Sequence, residues 1–182
     1  MKNIVSLAIF LAAPFGIQAQ MSVKDFVLGE EIDAAAGKHN LRCEVRKGAS
    51  TKLCFATPRD LEKEALRTVA GVGVTSLILA GTDEGKLGMV RYAFKQGDFL
   101  IVKAAFAEKY PKLSCVDSVV SNRMGAKFDQ TECTYSDRDG VLTIERRGRD
   151  INEGALTLES SAYRTSLLRE FEKKKGEAKK DI

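Results

Sequence analysis

The chain has 182 residues, 29 Lys and Arg against 25 Asp and Glu, a formal net charge of +4, 4 cysteines and 1 histidine. That length fits one domain or two small repeats sharing a core. The mild positive balance falls far short of the concentrated basic surface of a nucleic-acid binder, so no nucleic-acid partner is expected.

Residues 1–19 have the three parts of a secretory signal. Lys2 is the positive start, Ile4 to Phe15 is apolar apart from Ser6, and Ala19 with Ile17 before it offers a cleavage point ahead of Gln20. A bilayer span needs about 20 apolar residues, and this run is shorter, so cleavage and export to the periplasm or beyond are expected. Lys2 is the only charge removed, leaving 28 Lys and Arg against 25 Asp and Glu, a net +3.

The first helix is expected near Glu30 and Glu31, which suit the positive end of a helix dipole, with Ala34 to Ala36 inside it and Gly37 as its stop. From Leu41 the pattern alternates, with Leu41, Cys43 and Val45 on one side of a strand. Lys47 to Ser50 reads as a turn and Leu53 to Ala56 as the returning strand. Asp60 is expected to cap a short helix over Leu61 to Arg67. Val69 to Leu79 is β-branched and apolar, and its phase switches near Thr75 and Ser76, which predicts a bulge. After a turn over Gly81 to Gly85, Leu87 to Lys95 alternates as a half-buried antiparallel strand.

Asp98 is expected to cap the best helix. Phe99, Val102, Phe106 and Tyr110 form its apolar stripe, and Pro111 ends it. Ala126 to Tyr135, Val141 to Arg147 and Ala155 to Glu159 read as strands, the first two joined by a turn over Ser136 to Gly140. A last helix from Ser160 or Ser161 is expected to turn Tyr163, Leu167 and Phe171 to the core, and its basic end spans 173–182. The predicted fold is α+β, with helices packed on one face of an antiparallel sheet. It forms one domain over 20–172 made of two degenerate helix-plus-strands repeats, 21–96 and 97–172.

Four cysteines, Cys43, Cys54, Cys115 and Cys133, all follow the leader, and an even count in an exported chain predicts disulfides. Three pairings exist; Cys43–Cys54 with Cys115–Cys133 is favoured because each closes a local loop. C-x-x-C is missing, so redox and zinc-knuckle roles lack support.

Three segments carry a resemblance: Lys109-Tyr110-Pro111-Lys112, Asn122-Arg123-Met124-Gly125-Ala126-Lys127-Phe128 and Ile151-Asn152-Glu153-Gly154. In this order they resemble a class of small uncharacterised exported proteins of Gram-negative bacteria. The duplicated layout is similar, as architecture only, to the tandem-repeat fold of the β-lactamase-inhibitor-protein type. That likeness implies a fold and transfers no function.

Chemistry-bearing motifs are scarce. His39 would need three more ligands for a closed zinc site, and Asp137, Asp139 and Gly140 fit a hairpin turn better than a calcium loop. Gly71-Val72-Gly73 lacks the third glycine of a dinucleotide site, and Gly81 to Lys86 lacks phosphate-loop spacing. Gly-x-Ser-x-Gly is missing, and Glu30 with Glu31 and Glu62 with Glu64 lie in charged surface segments. No cofactor, metal or catalytic group is therefore expected. Arg123, Arg138, Arg146, Arg147 and Arg149 are the candidate interaction residues, because arginine is enriched at protein interfaces. The function expected is an exported, non-catalytic binding or inhibitor-like module with an envelope protein partner. The alternatives are an accessory protein whose Lys173, Lys174, Lys175, Lys179 and Lys180 touch anionic envelope surface, or an enzyme of unrecognised type.

Overall fold

A computed structural model describes residues 21–45, 51–122 and 124–178. The chain opens with a small hairpin, β1 (Ser22–Val23) and β2 (Phe26–Val27). Helix α1 (Ile32–Gly37) follows and buries Ile32, Ala35 and Ala36. Next come β3 (Arg42–Val45), β4 (Lys52–Phe55), the short helices α2 (Pro58–Leu61) and α3 (Glu64–Arg67), then β5 (Thr68–Val69), β6 (Val72–Gly81) and β7 (Leu87–Lys95). A 3-10 turn over Gln96–Asp98 leads into α4 (Phe99–Lys109). The chain then runs through β8 (Ser114–Ser121), β9 (Lys127–Ser136), β10 (Gly140–Glu145) and β11 (Glu153–Ser160) to α5 (Ser161–Ala178).

The fold mixes α and β around one large antiparallel sheet, ordered β3-β4-β6-β7-β11-β10-β9-β8, with β5 paired to β6. Each half runs in the same order: a helix, a hairpin bridged by a disulfide, then two further long strands. The last strands of the two halves, β7 and β11, adjoin at the centre, and β3 and β8 form the two edges.

Strand alternation explains where the core sits. Leu77, Leu79, Val90, Tyr92, Phe94, Leu142, Ile144, Leu156 and Leu158 share one face and are buried. Helices α1 and α4 cover that face, with Phe99, Val102 and Phe106 as the buried stripe of α4. Each such large side chain contributes roughly 1.5–3 kcal/mol when fully buried. The bulge expected near Thr75 and Ser76 is present as a register shift between Val74 and Ser76.

The other phase of the sheet stays polar over most of its length. At one end Tyr163 of α5 packs against Ala80 and Met89. A Cβ at Gly88 would sit 2.6 Å from that of Tyr163, so a glycine is what lets the helix approach. Helix α5 thus lies against residues of the phase opposite to the core face.

Several local expectations need correcting. Leu167 and Phe171 do not join the core: Phe171 is 63% exposed, because the core contact of α5 ends after its first turns. Thr57, not Asp60, caps the helix after β4. Its hydroxyl accepts from the Asp60 N–H while the Asp60 carboxylate accepts from the Thr57 N–H, a capping box. Asp98 stands at the start of α4 without a side-chain cap bond. Strand β8 occupies a segment for which no element was predicted, and Phe26 lies in β2 and not in a helix as the repeat reading expects. The leader, the turn over Lys47 to Ser50, Arg123 and the last residues of the basic tail lie outside the described residues.

Candidate binding surface

Helix α4 packs toward β10, and Tyr110 beyond it rests on Tyr135 at 4.8 Å between ring centroids. The outer ribbon, β8 with the adjoining part of β9, extends past this cover. Seven of the eight residues of β8 are exposed and the eighth is half-buried. Val116 and Val119, which point to opposite faces, are 68% and 61% exposed. The Cys115–Cys133 disulfide ties the ribbon across directly paired positions. Cys43–Cys54 does the same for β3 and β4, so both favoured pairings are formed.

The loop after β10 carries three of the five predicted arginines, and they do different things. The Arg147 N–H donates to Gln130 Oε1 at 2.8 Å, and Gln130 Nε2 donates back to the Arg147 carbonyl at 2.8 Å. Its guanidinium donates to the carbonyls of Asp129 and Ile151 and lies 5.0 Å from the Phe128 ring centroid. Arg147 therefore braces the loop. Arg146 lines a depression of about 310 Å³ between α4 and the ribbon, with Lys103, Phe99, Asp117 and Thr131. Arg149 is exposed and borders a depression of about 480 Å³ on the opposite side, with Val120, Asn122, Gln130 and Glu145. Arg138 does not join them. It sits in the β9–β10 turn at the other end of these strands, where its Nε lies 3.6 Å from Asp139 and its carbonyl accepts from Ser161.

The polar sheet face beside this loop is itself organised. Arg91 Nη1 donates to Thr157 Oγ1 at 2.9 Å and lies 3.4 Å from Glu145 Oε2. Burial pushes the Glu145 carboxyl above its ordinary value; Arg91 opposes this and neighbouring Glu132 adds to it. The face offers threonines, carboxylates and a guanidinium on a rigid sheet, suited to hydrogen bonding a partner.

His39 is buried, with Nε2 2.7 Å from Asp25 Oδ2 and its ring tilted against Phe26 at 5.3 Å. This pair joins the end of α1 to the N-terminal hairpin. The buried Tyr92 hydroxyl has no hydrogen-bond partner among the described residues, and burial raises its pKa well above the usual phenol range. Among the described residues no group of three or more His, Cys, Asp or Glu is placed to hold a metal ion. Asp137 accepts from the N–H groups of Asp139 and Gly140, the geometry of a hairpin turn.

Sequence reasoning singled out the arginines of this loop and offered no β8 residue as an interaction candidate. The available signal was the β-branched cluster Val116, Val119 and Val120, which does not alternate because neither face of β8 is covered. Comparisons with protein-family models, with curated proteins and with solved structures each returned no match.

Proposed function

We propose that this chain is an exported, non-catalytic binding module that engages a protein partner of the cell envelope. The contact surface is the second half of the sheet, the β8–β9 ribbon with Arg146 and Arg149. The observation that carries it is a rigid, disulfide-tied ribbon with apolar side chains open on both faces, next to cationic groups that are not consumed by the fold. Exposed apolar groups rimmed by arginine are what protein interfaces use. The two disulfides are consistent with an oxidising, exported location, and residues 1–19 supply the leader. Repetition of helix, bridged hairpin and two strands supports the likeness to the tandem-repeat inhibitor-type architecture.

The test is cross-linking and co-purification of the tagged chain, expressed with its own leader in its host. A partner retained by the wild type and by L168S/F171S, but lost by R146E/R149E, supports this surface. Recovery of nothing specific at any salt concentration counts against it.

A second reading is favoured by α5. Leu168 is 66% exposed beside Phe171, followed by the lysine-rich end. Apolar side chains on a basic helix suit an anionic membrane surface. Deleting residues 173–182 should abolish co-flotation with anionic phospholipid vesicles, and unchanged flotation removes this reading.

A further inference from the structure

We infer that β8 is the contact between two copies of this chain, paired antiparallel about a two-fold axis through Ser118. Sheets normally blunt an open edge by shortening it, bulging it or placing lysine or proline there. The other edge strand, β3, obeys: it has four residues, two of them the charged Arg42 and Glu44. By contrast β8 runs eight residues with unbroken register against β9, from Ser114↔Thr134 to Ser121↔Lys127. It contains no lysine or proline. Its one charge, Asp117, accepts from Thr131 Oγ1 at 2.7 Å and so leans back toward β9.

The backbone phase of this edge is fixed by its neighbours. Asn122 N–H donates to the Ala126 carbonyl and Arg146 N–H to the Thr131 carbonyl. Alternation along an antiparallel ladder then turns the backbone groups of Val116, Ser118 and Val120 toward β9. Those of Cys115, Asp117, Val119 and Ser121 face outward. The 3.9 Å Cα separation of Cys115 and Cys133 marks a close, non-hydrogen-bonded pair, in the same phase.

A two-fold axis normal to the sheet keeps each face on its own side, so it pairs only residues of one face. Centred on Ser118, it sets Asp117 opposite Val119 of the second copy and Cys115 opposite Ser121. Every outward backbone group thus meets another outward one. In the same register Val116 packs on Val120 of the second copy, Val120 on Val116, and Ser118 on its own counterpart. Centring on Asp117 would oppose two like charges, and centring on Val119 would shorten the overlap. The strand is therefore self-complementary about one residue, which a partner's extended peptide would not require. The occupant is a second copy, and joining makes one continuous sheet across both.

Sedimentation velocity of the full chain, expressed with its own leader, tests this from low micromolar to submillimolar concentration. The wild type is expected to dimerise with concentration. S118K and S118D each place like charges at a close pair and should associate at least roughly tenfold more weakly; mixing them in equal amounts should restore a heterodimer. V119P removes an outward N–H that β9 does not use, so it should be monomeric with unchanged circular dichroism and melting. A wild type that stays monomeric throughout, a dimer that survives S118K, or a mixture that fails to restore pairing would overturn the inference. Because β8 also belongs to the proposed partner surface, R146E/R149E, which leaves β8 intact, is run alongside: a dimer it retains while partner capture is lost separates the failure of this inference from the failure of that reading.

Discussion

Asp60 shows how much a single side chain settles locally. Hydrogen bonds from Lys63 and then from Thr57 hold its carboxyl well below the usual carboxylate range. A depressed folded value means that its contribution to stability is present above the ordinary value of 3.8 and is lost as pH falls below it. D60N should therefore unfold at lower denaturant than the wild type at neutral pH. That difference should shrink as urea titrations are taken down through the acid range. Removing the other half of the box, T57A, should cost about 1 kcal/mol. Gly154 is a second such residue. A side chain there would overlap the Phe94 ring, so G154A should destabilise by roughly 1–3 kcal/mol through overpacking. In an F94A background the same change should cost less than about 0.5 kcal/mol, because the obstructing atoms are gone, and a double-mutant cycle by chemical denaturation measures that coupling.

At the scale of elements, the two bridged hairpins are equivalent in build and different in exposure. The Cys43–Cys54 disulfide spans 11 residues and Cys115–Cys133 spans 18. Loop entropy assigns each about 3 kcal/mol, with the longer loop worth a few tenths more. C43S/C54S and C115S/C133S should each lower the unfolding free energy by that order, read by denaturation with and without reductant. The larger functional effect belongs to C115S/C133S, since β8 is held on one side only. Helix α4 was legible from its stripe of Phe99, Val102, Phe106 and Tyr110, all of them buried. Helix α5 was only half legible: Tyr163, Leu167 and Phe171 have correct helical spacing, yet the sheet ends before the last two can be covered.

For the molecule as a whole, the element order of each half and the central β7–β11 contact put the two bridged hairpins at opposite edges of one sheet. The first half is wrapped by α1, α2, α3 and the N-terminal hairpin, which is fastened at Asp25: its carboxylate lies beside His39 and its carbonyl accepts from Lys38. Among the described residues the second half has α4 alone on its core face, and its outer ribbon is bare. Asymmetric cover on a repeated layout is why the second half is the one proposed to bind. R146E/R149E should leave the thermal midpoint within a few degrees of wild type, since Arg149 is exposed and the half-buried Arg146 only lines a surface depression, and surface substitutions away from packing usually change stability by less than about 0.5 kcal/mol. The same variant should abolish partner capture, which separates recognition from folding.

By itself the sequence determined the mixed α and β class, most strands and the central helix, and it favoured the local cysteine pairing that the structure then settled, because each depends on near neighbours along the chain. Alternation, helical spacing and short loop closure are local signals. Only the tertiary structure decided which residues would remain uncovered. The exposure of β8 depends on how far α4 reaches across the sheet, whereas Arg147 is set apart from Arg146 and Arg149 by its bonds to Gln130, Asp129 and Ile151, and Arg138 by its place at the other end of the strands. That reach is set by packing between segments distant in the chain, and the non-alternating valines of β8 mark the exposure without recording its cause.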